Sequence, residues 1–379
     1  MEDYDVIIVG AGPSGSTLAW ALQDSGKRVL ILDKQAFPRD KTCAGWVTPA
    51  VMESLKIDLG DYRQSRTLQA IRRFRIGMMG QEAVDNDHDE VVSYGILRRE
   101  FDAYLLDRVT AADKKLSTPL DTISRDGEHW IINARWRAPL VVGAAGHFCP
   151  VAKALGQGPG SHETIVAAKE VEFALSPEQA AHCKVSGDRP ELWFCRDLKG
   201  YAWVFRKGDF LNIGLGREDS HKLTEHLNAF LEDMKATGRI SEDLPSRFKG
   251  HAYLLYAHAA RPLVGDGLML VGDSAGLAYT QSGEGIRPAV ESALLAAELI
   301  RERNDFSRAS LQDYVAAVQD RFGARTETRQ QGRFEVPEWI KLPLASALMN
   351  SHWFTRKVVT EKWFLHRDLP ALVPMDRAS

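Results

Sequence analysis

The stretch Tyr4–Lys34, YDVIIVGAGPSGSTLAWALQDSGKRVLILDK, decides the fold. It reads as strand, glycine turn, helix and second strand. Val6–Val9 is a short β-branched run of the kind buried in parallel sheets, and residues 14–23 favour a helix after the turn. Gly10, Gly12 and Gly15 form GxGxxG around Pro13 and Ser14. The first glycine permits a tight turn, the second lets a pyrophosphate approach the backbone, and the third lets helix and strand pack closely. The helix N-terminus offers unpaired N–H groups and the positive end of its dipole to phosphate. Asp33, followed by Lys34, ends the next strand, where a carboxylate can accept hydrogen bonds from a ribose diol. A glycine turn alone also occurs in ordinary α/β domains. Strand, helix and terminal acid together make it a dinucleotide site.

A second stretch, residues 259–299 (ARPLVGDGLMLVGDSAGLAYTQSGEGIRPAVESALLAAELI), repeats the logic. An apolar strand at residues 268–271 runs into Gly272 and Asp273. Gly276, Gly283, Glu284 and Gly285 follow, and an Ala- and Leu-rich helix begins at Ile286, kinked or started at Pro288. An aspartate at a strand end before glycines and a helix N-terminus suits a ribityl hydroxyl, a phosphate edge and the carbonyl side of an isoalloxazine ring. Glu284 either faces that ring or caps the helix.

The 379 residues, 44% hydrophobic, are enough for a large core divided into two or three lobes. Lys plus Arg 48 against Asp plus Glu 51 gives a net charge of -3, with no excess basic field for nucleic acid. The four cysteines, Cys43, Cys149, Cys183 and Cys195, form no C-x-x-C pair and no zinc-like spacing, so no metal is expected. No basic segment precedes the short N-terminal apolar run, and a cytoplasmic protein is expected. The tail alternates Trp339, Trp353 and Trp363 with Lys341, Lys357 and Lys362. That pattern suits helices packed on the body, or an interfacial helix in peripheral contact with a membrane.

GAGPSG near the start, GILRREFDAYLL from Gly95 and GDSAG from Gly272 together resemble the FAD-dependent hydroxylase and reductase superfamily with the glutathione-reductase-type fold. The resemblance spans most of the chain. It implies non-covalent FAD, with Asp273 at the ribityl and pyrophosphate portion and Arg98, in the R-x-x-F-D position, near the cofactor. PRDKTCAGW, residues 38–46, resembles the P-R-D-K-x-C-G-G segment of geranylgeranyl reductases, with Ala44 in place of a glycine and Trp46 where small residues are common. GYAWVFRK resembles their Y-x-W-x-F-P-K segment, with Arg206 in place of proline, and IVAAKEVEF resembles the strand that opens their substrate domain. In GAAGHFCPVAKALG, Ala145 stands where many relatives carry an aspartate.

The resemblance implies an α/β chain with three parts. A discontinuous FAD-binding Rossmann domain takes residues 1–75, 95–160 and 259–305. An antiparallel β-sheet substrate domain takes 76–94 and 161–258, and a helical C-terminal region takes 306–379. Lys41, Cys43, Ala44 and Gly45 are then expected to border the flavin. Tyr201, Trp203 and Phe205, spaced by two, share one sheet face and with Trp46 make either a core stripe or the aromatic wall of a substrate pocket. Cys43 is the candidate catalytic residue: a pocket wall, a proton donor or redox-active thiol, or a buried inert side chain. The implied reaction is reduction of C=C bonds in an isoprenoid or other hydrophobic substrate, by hydride transfer from flavin N5. A flavin monooxygenase acting on an aromatic or alicyclic ring and a non-catalytic flavin-binding resistance or interaction protein are the alternatives. Without a second GxGxxG unit, NAD(P)H, if it is the electron donor, approaches only transiently.

Overall fold

A computed structural model describes residues 1–156, 165–259, 261–323, 325 and 338–374. Two large sheets organise the chain. The first has six strands in the order Val264–Gly265, Leu268–Leu270, Leu140–Gly143, Val6–Val9, Val29–Leu32, Asp113–Lys115, and all its pairings but the first are parallel. Val6–Val9 and Val29–Leu32 are buried at every position, as their unbroken apolar sequences require of strands covered on both faces. The helix Pro13–Ala21 follows the glycine turn, and Ile286–Glu302 packs beside it. Pro288 sits in the first turn of the latter, where its missing N–H leaves no hydrogen bond unmade, and the helix runs on unbroken for 17 residues.

The second sheet has seven strands in the order Lys249–Leu254, Ile165–Ala174, Phe210–Arg217, Gly200–Lys207, Glu191–Phe194, Arg73–Met78, Ala83–Asp87. It is antiparallel except where Glu191–Phe194 pairs with Arg73–Met78. That strand begins at Arg73, ahead of the expected boundary at 75/76, because its ladder with Ala83–Asp87 starts at the Arg73–Asp87 pair. The boundary expected at 160/161 lies outside the described residues. A three-stranded sheet of Trp46–Val47, Ser93–Ile96 and Leu68–Ile71 joins the two lobes.

Helices Gln312–Phe322 and Glu338–Met349 and a segment from His352 complete the chain; from Thr355 to Phe364 the latter is wound as a π-helix. Arg287, 1% exposed, donates to the carbonyls of His366, Leu369 and Pro370, while Thr355 bonds Asn86 and Arg367 pairs with Glu90. The last described segment is thus fastened to both lobes. Its Phe364 ring stacks on Trp46, with centroids 5.3 Å apart and planes at 4°.

Candidate active site

A cavity of about 580 Å³ lies between the two large sheets. One end is the glycine turn. Gly10, Gly12, Pro13 and Ser14 line it, with Asp33 and Lys34 beside them. Asp33 accepts hydrogen bonds from the Ala11 and Gln35 amides at 2.8 and 2.9 Å, so the acid at the strand end also holds the turn in shape. Gly10 has φ +111°, and a Cβ there would meet the Ala144 carbonyl oxygen at 2.5 Å. Gly12 is open by contrast, the nearest atom being Arg39 Nη2 at 3.4 Å from where its Cβ would be.

Arg39 escaped the sequence analysis. Its Nη1 lies 3.3 Å from the Asp102 carboxylate, while its buried Nε has no hydrogen-bond partner among the described residues. A cation with an unused donor beside an open glycine and a helix N-terminus fits a bound pyrophosphate. The R-x-x-F-D spacing has a direct cause. Arg98 and Asp102 are i and i+4 on one helix, bonded twice at 2.8 and 2.9 Å, and Asp102 is fully buried. Burial disfavours the Arg98 cation, but Asp102 more than offsets it and the guanidinium stays charged; it also contacts the Cys43 thiol.

The opposite wall comes from the second glycine stretch. Asp273, Gly283, Glu284, Gly285 and Ile286 line it, and Asp273 Oδ1 lies 2.8 Å from where a Gly285 Cβ would stand. Two helix N-termini therefore address one cavity, the arrangement expected for a ligand anionic along one side and heteroaromatic at the other.

Neither oxygen of the buried Glu284 carboxyl makes a hydrogen bond of ordinary geometry to any described residue. Burial pushes its pKa up to about 8, with Arg287 offsetting part of the shift. The native state thus keeps a proton that the unfolded chain releases near pH 4.5. The resulting stabilisation is full below that pH and is lost as pH rises through about 8. Glu284→Gln removes this dependence: the melting temperature of the wild type is expected to fall relative to the variant by several degrees between about pH 5 and about pH 9. Parallel melting curves across that range would refute it.

Beyond the cofactor walls the cavity turns apolar. Ala44, Trp46, Ala168, Leu192, Tyr201, Trp203 and Phe205 line that end. The three aromatics of Gly200–Lys207 do face one way, and Tyr201 donates to the Ser282 carbonyl, tying the aromatic wall to the second glycine stretch. Between the apolar and cofactor ends stand Lys41, Cys43, Glu170 and His251. Lys41 Nζ is 3.1 Å from both ring nitrogens of His251. Burial, and then the Lys41 charge, hold the imidazole down to about pKa 4, so it is neutral and accepts from the ammonium. Burial likewise lowers the Lys41 pKa.

Four residues expected at the cofactor do not line the cavity; each is a close-packing glycine behind it. A Cβ on Gly15 would stand 1.8 Å from the Gly10 oxygen, and one on Gly45 2.3 Å from both the Ile96 oxygen and Lys207 Nζ. Gly272 abuts Ser14 and Ala289, and Gly276 abuts Ala259. Cys149 is buried against Gly143 rather than in the cavity, whereas His147 lines the wall and is 3% exposed. No group of acidic, histidine and cysteine side chains among the described residues is arranged to hold a metal.

This arrangement defines a flavoprotein built around a two-ended dinucleotide cradle. The chain belongs to the FAD binding domain family, whose model matches residues 3–322, and its cofactor is FAD. It is 27% identical over 328 residues to digeranylgeranylglycerophospholipid reductase of Methanocaldococcus jannaschii, covering 82% of this chain and 81% of that protein. It is 29% identical over 349 residues to menaquinone reductase of Mycobacterium tuberculosis, covering 85% and 81%. A geranylgeranyl bacteriochlorophyll reductase-like protein from Thermoplasma acidophilum shares the fold, with a TM-score of 0.74 at 21% identity over 98% of this chain and 94% of that one. That family makes the protein an FAD-dependent oxidoreductase.

Proposed function

We propose that this oxidoreductase reduces C=C bonds of a polyprenyl or other hydrophobic substrate. The observation that carries the reading is continuity: one cavity joins the dinucleotide cradle to an aromatic wall, with Cys43 at the junction. Two relatives named as reductases of a geranylgeranyl lipid and of menaquinone support the substrate class. Reduced FAD supplies the electron pair and one hydrogen that an isolated double bond takes up. The chain's own part is to hold the alkene flat against Tyr201, Trp203 and Trp46, exclude water and let a proton reach the second carbon. Cys43 then serves first as the wall that seats the alkene.

The test is product mass: each double bond reduced adds two hydrogens to a geranylgeranyl lipid incubated with the reduced protein, and an added oxygen atom would instead mark a monooxygenase. Cys43→Ala is expected to leave FAD content unchanged and raise KM about fivefold with kcat within threefold. A fall in kcat of about a hundredfold at unchanged KM would reassign the thiol as proton donor.

A lipid substrate has to be collected from a membrane, and the C-terminal helices carry a matching surface. Trp339, Leu344, Leu348 and Trp353 are 76, 55, 36 and 64% exposed, flanked by Lys341 and Lys357. No helix among the described residues is long and apolar enough to cross a bilayer. Peripheral contact is therefore the proposal. The protein is expected to co-sediment with anionic vesicles, and Trp339→Ala with Trp353→Ala to weaken binding at least tenfold. Equal sedimentation of wild type and double variant would remove this surface from the account.

A further inference from the structure

The loop bearing Cys43 arrives from the dinucleotide lobe, yet its peptide groups are bonded to the seven-stranded sheet. The Cys43 amide donates to Glu170 Oε1 at 2.6 Å, and the Cys43 carbonyl accepts from Asn212 Nδ2 at 3.1 Å. The same Nδ2 lies 3.3 Å from Glu170 Oε2 and 3.2 Å from Glu172 Oε1. Which way the Asn212 amide points follows from its other end: Oδ1 accepts the Trp203 indole N–H at 2.7 Å, leaving the NH₂ group to face Cys43. Glu170 is 4% exposed and Asn212 is fully buried. Asn212 lies opposite Glu172 in the ladder, two residues from Glu170 on the same sheet face.

A buried acid and amide are costly inside a sheet unless bonded, and the backbone ladder here is complete without them. The buried Lys207 ammonium is taken by Glu172 at 2.5 Å and by the Ile96 carbonyl at 3.0 Å. What Glu170 holds, then, is the Cys43 loop. The clamp spans 127 residues of sequence and links the thiol's own peptide to Trp203 of the aromatic wall through one asparagine.

We propose that Glu170 and Asn212 are positioning residues, which clamp the Cys43 peptide to the substrate sheet and so set where the thiol stands against the alkene seat. The purpose of the clamp rests on the reductase reading; its existence does not. Gly45, whose amide lies 3.4 Å from Cys43 Sγ at φ +65°, completes the loop's fixed shape.

The experiment measures alkylation of Cys43 by iodoacetamide in the purified FAD-loaded protein, in a Cys183→Ser background, with the modified peptide identified by mass. Glu170→Ala is expected to speed alkylation about tenfold, the loss of one charge-assisted hydrogen bond, and to lower lipid turnover similarly. Glu170→Gln, whose amide oxygen still accepts the Cys43 N–H, is expected to restore both to within about threefold. An alkylation rate in Glu170→Ala equal to wild type overturns the clamp. Should that variant fail to fold, amide hydrogen exchange of the wild type decides. A Cys43 amide protected far beyond its neighbour Thr42 supports the clamp, and exchange at the rate of an open loop overturns it. Alkylation and amide exchange are both read without the lipid, so a protected, clamped Cys43 in a protein that reduces no polyprenyl substrate would sink the reductase reading and leave the clamp standing.

Discussion

Gly15→Ala is expected to yield a colourless protein. The methyl carbon would stand 1.8 Å from the Gly10 carbonyl oxygen and 3.3 Å from the Ala144 side chain. The first contact is with backbone, so no rotamer change relieves it. The helix Pro13–Ala21 must move off the strand Val6–Val9 or the turn must open, and either displaces the first-turn amides from the phosphate site. Overpacking of a tight site costs about 1–3 kcal/mol where side chains can give way, and here they cannot, so about 3 kcal/mol or more is expected. The measurement is the ratio of flavin to protein absorbance after purification, with a melting curve of the same sample. A yellow Gly15→Ala protein with wild-type FAD content would show that the turn is not packed as described.

Phe364→Ala is expected to destabilise the protein by about 3–5 kcal/mol, the usual cost of emptying a buried aromatic site. Phe364 is fully buried, stacked on Trp46 and set edge-on to Tyr201 and Phe194 at 5.4 and 6.4 Å. Because Trp46 and Tyr201 line the cavity and Phe364 lies behind them, the lost ring also leaves the alkene seat unsupported. Alongside a lower melting temperature, a change in Trp46 fluorescence and weaker discrimination between short and long polyprenyl substrates are expected. A loss below about 1 kcal/mol with an unchanged substrate profile would show that the C-terminal segment merely covers the cavity.

These two residues also mark where sequence reading succeeds and where it stops. The fold was legible because strand, glycine turn, helix and acid at the strand end are local: each requirement is met within about thirty residues, and a second stretch repeats them. The aromatic stripe was legible too, since a period of two places Tyr201, Trp203 and Phe205 on one side of a strand wherever that strand lies. What remained hidden depends on pairing across the chain. Lys41 meets His251 over 210 residues, Cys43 meets Glu170 over 127, and Phe364 reaches Trp46 only because a π-helix carries the ring back over both lobes. Arg39 is a different case. It stands in the charged turn beside Lys41 with no period to single it out, and only its unused donor beside Gly12 marks it. The glycines show the converse. Gly15 reads as a close-packing glycine and is one, whereas Gly45, Gly272 and Gly276 read as cofactor contacts and each instead packs against neighbours that leave little or no room for a Cβ.

On the proposed function, electrons leave this protein for a double bond rather than for oxygen. The most direct test is to reduce the purified FAD-loaded protein under strict anaerobiosis, mix it with a geranylgeranyl lipid and follow flavin absorbance. The oxidised spectrum is expected to return without oxygen, at a rate that depends on lipid concentration. A flavin that stays reduced in the presence of the lipid and reoxidises only when air is admitted would contradict it.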